Sequence, residues 1–274
     1  MTESSPVSGY FRSGLPYNRA GSGPRPLVIF QGLLFENKPL PSRMATRFSG
    51  YHFLEEDYTT YLVTRKPGLP DGYALQDMSD DYARMIREEF GGPVDVIGVS
   101  TGGSIAQHFA ADHPDLVRRL VLHSAAHTLG EAGKAVQMRT AELARQHRWR
   151  EAYAAMLGFM VLPRAGIKGY ASRLVVWLGA LLLSRFPPKD PSDLIVTVQA
   201  EDRHNFKDRL SEIAAPTLVI AGDKDPFYSE TLFRETAEGI PNAKLILYPG
   251  MGHPASGKQF RQDVLAFLEE DSAF

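Results

Sequence analysis

The 274-residue chain contains no cysteine. Disulfides, thiolate metal centres and a cysteine nucleophile are therefore excluded, while the compartment is left open. Charge of one sign is also missing, since 30 Lys and Arg stand against 32 Asp and Glu for a formal net charge of -2. With no basic excess and no block of like charge, no nucleic-acid partner is expected. The most apolar segment, Leu174 to Leu183, falls well short of the ~20 residues that span a bilayer, so no stable membrane insertion is expected. The stretch 174–184 reads instead as a helix buried within the fold. The polar start, Met1 to Pro6, lacks the apolar core of a secretory signal, and a cytoplasmic location is the default expectation. Repeats and low-complexity tracts are absent, and nothing in the chain speaks to its oligomeric state.

Two apparent motifs fail on inspection. Gly252 to Lys258 matches the first seven positions of a phosphate-binding loop, but Gln259 stands where Ser or Thr must hold magnesium. His123 and His127 are four apart, but the glutamate of a zinc-protease motif is missing and the segment leaves a strand. No metal and no cofactor are expected.

What is present is an ordinary globular composition, 43% hydrophobic and 23% charged. The length suits one large α/β domain with an insertion. Short branched apolar runs predict strands at 27–31, 58–64, 94–99, 118–123, 216–221 and 244–248. Helices are predicted over 42–55, 78–90, 101–112 and 256–270. Met78-Ser79-Asp80-Asp81 supplies an acidic helix start and Gly91-Gly92-Pro93 a stop. Residues 1–9 read as disordered, followed by a short hairpin over 10–19. From Ala126 to Phe206 the strand–helix alternation ceases. Helices are predicted there at 135–145, 149–161 and 171–184, interrupted by Pro163, by Gly166 to Gly169 and by Pro187-Pro188. The expected organisation is a core of 1–125 and 207–274 carrying a helical insertion of 126–206.

The chemistry starts at Gly98-Val99-Ser100-Thr101-Gly102. An apolar run precedes it and a small-residue segment follows, so the G-x-S-x-G pattern falls at a strand-to-helix turn. Flanking glycines permit a strained turn that lifts the serine hydroxyl clear of the backbone. Serine needs a base, and the base needs an orienting acid. Asp223 and Asp225 lie just after the strand-like run 216–220, and His253 lies just after the run 244–248. Parallel strands would bring all three loops to one edge of a sheet, where open α/β sheets bind ligands.

These motifs, in the order Ser, Asp, His, resemble those of the α/β-hydrolases, in particular the lid-bearing esterases and lipases. The likeness runs through Pro24 to Gly32, the helix at 80–90, and Ala111 to Leu122. It implies a mostly parallel central sheet flanked by helices, with an inserted helical lid. It also implies a catalytic triad of Ser100, Asp225 and His253, the acid being the third residue after Gly222. Asp223 then reads as a turn residue. The oxyanion hole implied by the resemblance consists of the backbone amides of Leu33 and Thr101. Gln31 departs from the family pattern, which usually has histidine there. Leu34 and Phe35, with Met156, Phe159 and Trp177 from the insertion, are candidates to line a pocket for a hydrophobic small molecule.

The expected activity is hydrolysis of a carboxylic ester through an acyl-enzyme. The same triad also serves lactone, amide and carbon–carbon bond hydrolysis and acyl transfer. A ligand-binding receptor on the same scaffold is the non-enzymatic alternative. The remaining histidines, among them His108, His113, His147 and His204, are expected at the surface or at helix ends.

Overall fold

A computed structural model describes residues 7–41, 50–161 and 166–270, with the backbone alone for 166–170. Its centre is an eight-stranded sheet in the order β1-β2-β4-β3-β5-β6-β7-β8. The strands are β1 (Val7–Tyr10), β2 (Pro16–Ala20), β3 (Arg25–Phe30), β4 (Tyr58–Val63), β5 (Val94–Val99), β6 (Val117–His123), β7 (Thr217–Gly222) and β8 (Ala243–Tyr248). β1 and β2 pair antiparallel at one edge, and all pairings from β4 through β8 are parallel.

Side-chain alternation along the central strands divides the core into two layers. Val28 and Phe30 of β3, Val96 of β5, Leu120 and Leu122 of β6 and Val219 of β7 pack on one face. Leu27, Ile29, Ile97, Val121, Leu218 and Ile220 pack on the other. Helices α1 (Leu75–Glu89), α2 (Thr101–Asp112) and α7 (Glu230–Gly239) bury residues in the first layer, and α8 (Lys258–Glu269) buries residues in the second. Burial on both faces explains why these strands are continuous apolar runs rather than alternating ones.

Between β6 and β7 run four helices, α3 (Glu131–Arg145), α4 (Trp149–Met160), α5 (Gly166–Leu183) and α6 (Ser192–Asp202). Gly166 to Gly169, expected to interrupt the chain, begins α5 instead. The helix α6 was not anticipated, because Ile195, Val196, Thr197 and Val198 form a β-branched run with strand character. The stretch 174–183, expected to be buried, exposes most of its large side chains.

Three further expectations need correction. Residues 7–9, expected to be disordered, pair with Tyr17 to Arg19 as an edge hairpin. The helix α1 starts at Leu75 rather than Met78, where the Asp77 carboxylate accepts the Ala74 amide at 2.8 Å and satisfies a free N–H of the first turn. Of the helix expected over 42–55, residues 42–49 lie outside the described residues, and His52–Leu54 forms a short 3-10 turn.

Candidate active site

β5 ends at Val99 and α2 begins at Thr101, leaving Ser100 as a one-residue turn with φ 52° and ψ -125°. A non-glycine residue in that region stores on the order of 1–3 kcal/mol of strain, held by its surroundings. Those surroundings are tight. A Cβ at Gly98 would stand 2.6 Å from the Gly103 Cα, and one at Gly102 would stand 2.1 Å from the Phe30 carbonyl oxygen. The Ser100 amide donates to the His123 carbonyl at 3.0 Å, which continues the β5–β6 ladder into the turn.

The Asp225 loop follows β7 and the His253 loop follows β8, the neighbouring strand. His253 Nδ1 lies 2.7 Å from Asp225 Oδ2, with the aspartate side chain fully buried. A carboxylate only accepts, so Nδ1 carries the proton and Nε2 holds the free lone pair. The other oxygen, Oδ1, accepts the amides of Phe227 at 2.9 Å and Tyr228 at 3.3 Å. Both oxygens of the carboxylate are therefore committed. Phe227 also packs its ring 4.6 Å from His253. Asp223 has a different role, accepting the Gly250 amide at 2.6 Å and closing the turn after β8.

The His253 loop is tied to the end of β6. Ala255 donates its amide to Ser124 Oγ at 3.1 Å, and its carbonyl accepts from His123 Nε2 at 2.7 Å. His123 Nδ1 must then accept from the Tyr51 hydroxyl, 2.5 Å away. Burial pushes the His123 imidazole down to about 3, so it stays neutral and structural.

The Gln31-Gly32-Leu33 loop leaves β3 at the same sheet edge. The Arg65 guanidinium, 1% exposed, donates to the Gln31 carbonyl from Nη1 and to the Gly32 carbonyl from Nη2, both at 2.9 Å. Farther along, Leu33 and Phe35 pack against a cluster of Ala141, Ala144, Trp149, Leu194 and Val198 from the insertion. Phe35 stacks on Tyr153 of α4 at 4.1 Å.

A buried polar group lies beneath the turn. Ser104 Oγ donates to Glu201 Oε1 of α6 at 2.7 Å, and burial raises the Glu201 carboxyl to about 7. The fully buried Tyr228 hydroxyl faces Ser100 and Ser104, and burial followed by the charges of Glu201 and Asp225 raises its pKa strongly.

The expected site residues are thus placed as follows. Ser100, Thr101, Asp225, His253 and Leu33 lie in loops or at a helix start on the C-terminal edge of the parallel strands. Leu34 is half-buried in the loop after β3, and Phe35 serves the packing of the insertion. Met156 and Phe159 face the core, with Phe159 edge-on to Phe227 at 4.9 Å. Trp177 is turned to solvent, with the Arg150 guanidinium 5.0 Å over its ring, so the structure does not bring it to the site. His108 and His204, expected at the surface or at helix ends, are tucked together with ring centroids 5.5 Å apart, His204 just past the end of α6, and burial lowers both, to about 4 and about 3.

Arg65, Glu201 and Tyr228 were not anticipated. Arg65 follows β4, whose end reaches the same edge as β3, and Tyr228 follows Asp225 by three residues, so position alone could have marked both. Glu201 offered no signal, because its helix was unrecognised.

The sequence is similar to that of a 2-hydroxy-6-oxononadienedioate/2-hydroxy-6-oxononatrienedioate hydrolase of Pseudomonas sp., 24% identical, with 96% of this chain and 94% of the relative covered. It is also similar to a pimeloyl acyl-carrier-protein methyl ester esterase of Nitrosomonas europaea, 24% identical over 65% of this chain and 71% of the relative. The backbone superimposes on the enol-lactonase of Burkholderia xenovorans LB400 with a TM-score of 0.73 at 18% identity, covering 96% of this chain and 100% of the other. At that identity the likeness carries the fold alone. The profile of the alpha/beta hydrolase family matches residues 27–264, and the chain belongs to that family.

Proposed function

We propose that the protein is a serine hydrolase that cleaves a carboxylic ester of a hydrophobic small molecule through an acyl-enzyme. The observation that carries this reading is the His253–Asp225 pair, with Nδ1 committed to the carboxylate and Nε2 left as the base, on the sheet edge that also presents Ser100. Ser100 Oγ attacks the ester carbonyl while His253 Nε2 takes its proton. Asp225 keeps the imidazole in the useful tautomer and stabilises its charged form. The C–O bond to the alcohol breaks as His253 returns the proton to the leaving oxygen. Water, deprotonated by His253, then displaces the acyl group from Ser100.

The oxyanion meets the amides of Leu33 and Thr101. Arg65 orients the first of these. In a trans peptide the C=O of Gly32 and the N–H of Leu33 point in opposite directions. Holding the Gly32 oxygen on Nη2 therefore aims the Leu33 amide away from Arg65. The Gln31 side chain is not required for this, which accounts for the tolerance of glutamine at a position where histidine is common.

Hydrolases among the relatives, one of a methyl ester and one of a 2-hydroxy-6-oxononadienedioate, support bond cleavage by hydrolysis. Phe159, packed edge-on to the Phe227 ring that lies against His253, and Met156, packed against the same core, favour an apolar acyl or alcohol group. A panel of p-nitrophenyl esters of increasing acyl length, run beside lactone and amide substrates, tests the reading. Turnover confined to esters, rising with acyl length, supports it. Turnover of amides or lactones alone contradicts the ester assignment.

A further inference from the structure

The helix α5 is apolar almost all round, yet Ala180 is its sole fully covered residue from 171 onward. It rests on α4 where glycines allow close approach. A Cβ at Gly158 would lie 3.8 Å from Val176 Cγ1, and one at Gly179 would lie 3.3 Å from Leu157 Cδ1. On the side opposite Ala180, Leu174, Val175, Leu178 and Leu182 follow one another at helical spacing and stand 57%, 66%, 49% and 63% exposed. Phe186, just past the helix, is 85% exposed. Such a contiguous apolar face is uncommon on a protein surface unless something covers it.

Charge says what covers it. From Ala152 to Lys189 the sequence holds five Lys or Arg and no Asp or Glu, in a chain whose overall balance is slightly acidic. Arg185 and Lys189 are exposed just past the end of the apolar stripe. Arg150 sits over Trp177 at the same surface. A helix with an apolar outer face, flanking cations and an aromatic ring matches an interfacial element lying in the plane of a bilayer surface. Among the described residues no helix is long and apolar enough to cross a membrane, so the association is peripheral. A second copy of the chain fits less well. Two-fold pairing through this face would bring together two surfaces that each carry Arg185 and Lys189, with Asp190 the nearest carboxylate in sequence.

We propose that the outer face of α5, with Phe186 and the adjoining Arg185 and Lys189, docks the protein on an anionic lipid surface. The apolar stripe enters the boundary between headgroups and acyl chains while the cations meet lipid phosphates. This inference is independent of the ester assignment, because it rests on surface composition and not on the Ser100 site.

Flotation of the full chain with vesicles tests it. Vesicles of phosphatidylcholine with one quarter phosphatidylglycerol are compared with vesicles of phosphatidylcholine alone. Binding at least tenfold greater to the anionic vesicles, reduced in high salt, is expected, together with a blue shift of Trp177 emission. The triple variant Val175→Ser/Leu182→Ser/Phe186→Ser and the separate double variant Arg185→Glu/Lys189→Glu should each lose at least tenfold in binding. All these positions are exposed, and thermal melts of each variant confirm that it is folded. No binding to anionic vesicles would overturn the proposal, as would equal binding by both variants. A wild-type dimer that the triple variant converts to monomer, without vesicle binding, would assign the face to a second copy instead.

Discussion

Asp225 and His253 are joined through Oδ2 and Nδ1, 2.7 Å apart, with the carboxylate excluded from solvent. The second carboxylate oxygen is taken by two backbone amides, so the aspartate cannot rotate away from the imidazole. Replacing Asp225 with Asn preserves shape but offers the ring a donor or a neutral acceptor, which releases the tautomer. Asp225→Asn should lower kcat for ester hydrolysis by about 10^3 to 10^4, the scale of losing the orienting acid of a triad. Asp223→Asn, which disturbs a turn bond to Gly250, should leave kcat within about threefold. Steady-state kinetics on the two variants separate the neighbouring carboxylates. The reverse ranking would move the acid to Asp223.

Arg65 offers a sharper test of the oxyanion role proposed for the loop after β3. Lysine keeps the charge but cannot hold two carbonyls with a planar fork. Arg65→Lys should lower kcat by about 10- to 100-fold, less than the loss of an oxyanion donor itself, with KM nearly unchanged. Affinity for a boronic-acid mimic of the tetrahedral intermediate should fall in parallel with kcat. A rise in KM with kcat preserved would make Arg65 a packing residue only.

Glu201 ties stability to pH. Its carboxyl is about 7 when folded against a usual value of 4.5, so the folded state holds the proton more tightly than the unfolded chain. Stability from this group is full below pH 4.5 and is lost as pH rises through about 7. The loss is on the order of 3 kcal/mol, since each pKa unit is worth about 1.4 kcal/mol. Urea denaturation of Glu201→Gln should show a gain over wild type that grows from pH 5 to pH 8. A difference independent of pH would mean that Glu201 does not titrate in this range.

Gly102 meets backbone atoms on one side, where an added Cβ would stand 2.1 Å from the Phe30 oxygen and 2.7 Å from the Gln31 oxygen. Gly102→Ala should therefore cost about 3 kcal/mol or more, at the upper end of overpacking effects. Gly92→Ala, with nothing within 4 Å of the new methyl, serves as the comparison and should change stability by less than about 1 kcal/mol. Equal melting behaviour of the two variants would mean that the turn is looser than its contacts indicate.

The positions proposed for the triad stood out in the sequence because each falls after a parallel strand, and strands such as β5 and β7 are short, branched and continuous. The helix α2 was readable to the residue for the same reason, since its start is fixed by the turn at Ser100. The edge strand β1 was not, because its residues are mostly exposed and carry no apolar alternation. In α6, β-branched residues mask a helix that only tertiary packing sets. Exposure of α5 could not be read, because an apolar run reports affinity for a dry environment and not whether the fold supplies one. The burial of Arg65 and of Glu201 was invisible for a related reason. Charged residues default to the surface, and their burial depends on carbonyls and hydroxyls brought from distant segments.

Covalent labelling of Ser100 tests the central proposal most directly. A fluorophosphonate reacts with a serine only where a base removes its proton and an oxyanion site receives the phosphonyl oxygen. Intact-protein mass after reaction should rise by one phosphonyl group, and peptide mapping should place that group on Ser100. Ser100→Ala and His253→Ala should remain unmodified. A Ser100→Ala protein that still takes up the label, or a wild-type protein that takes up none while turning over esters, would contradict the assignment of Ser100 as the nucleophile.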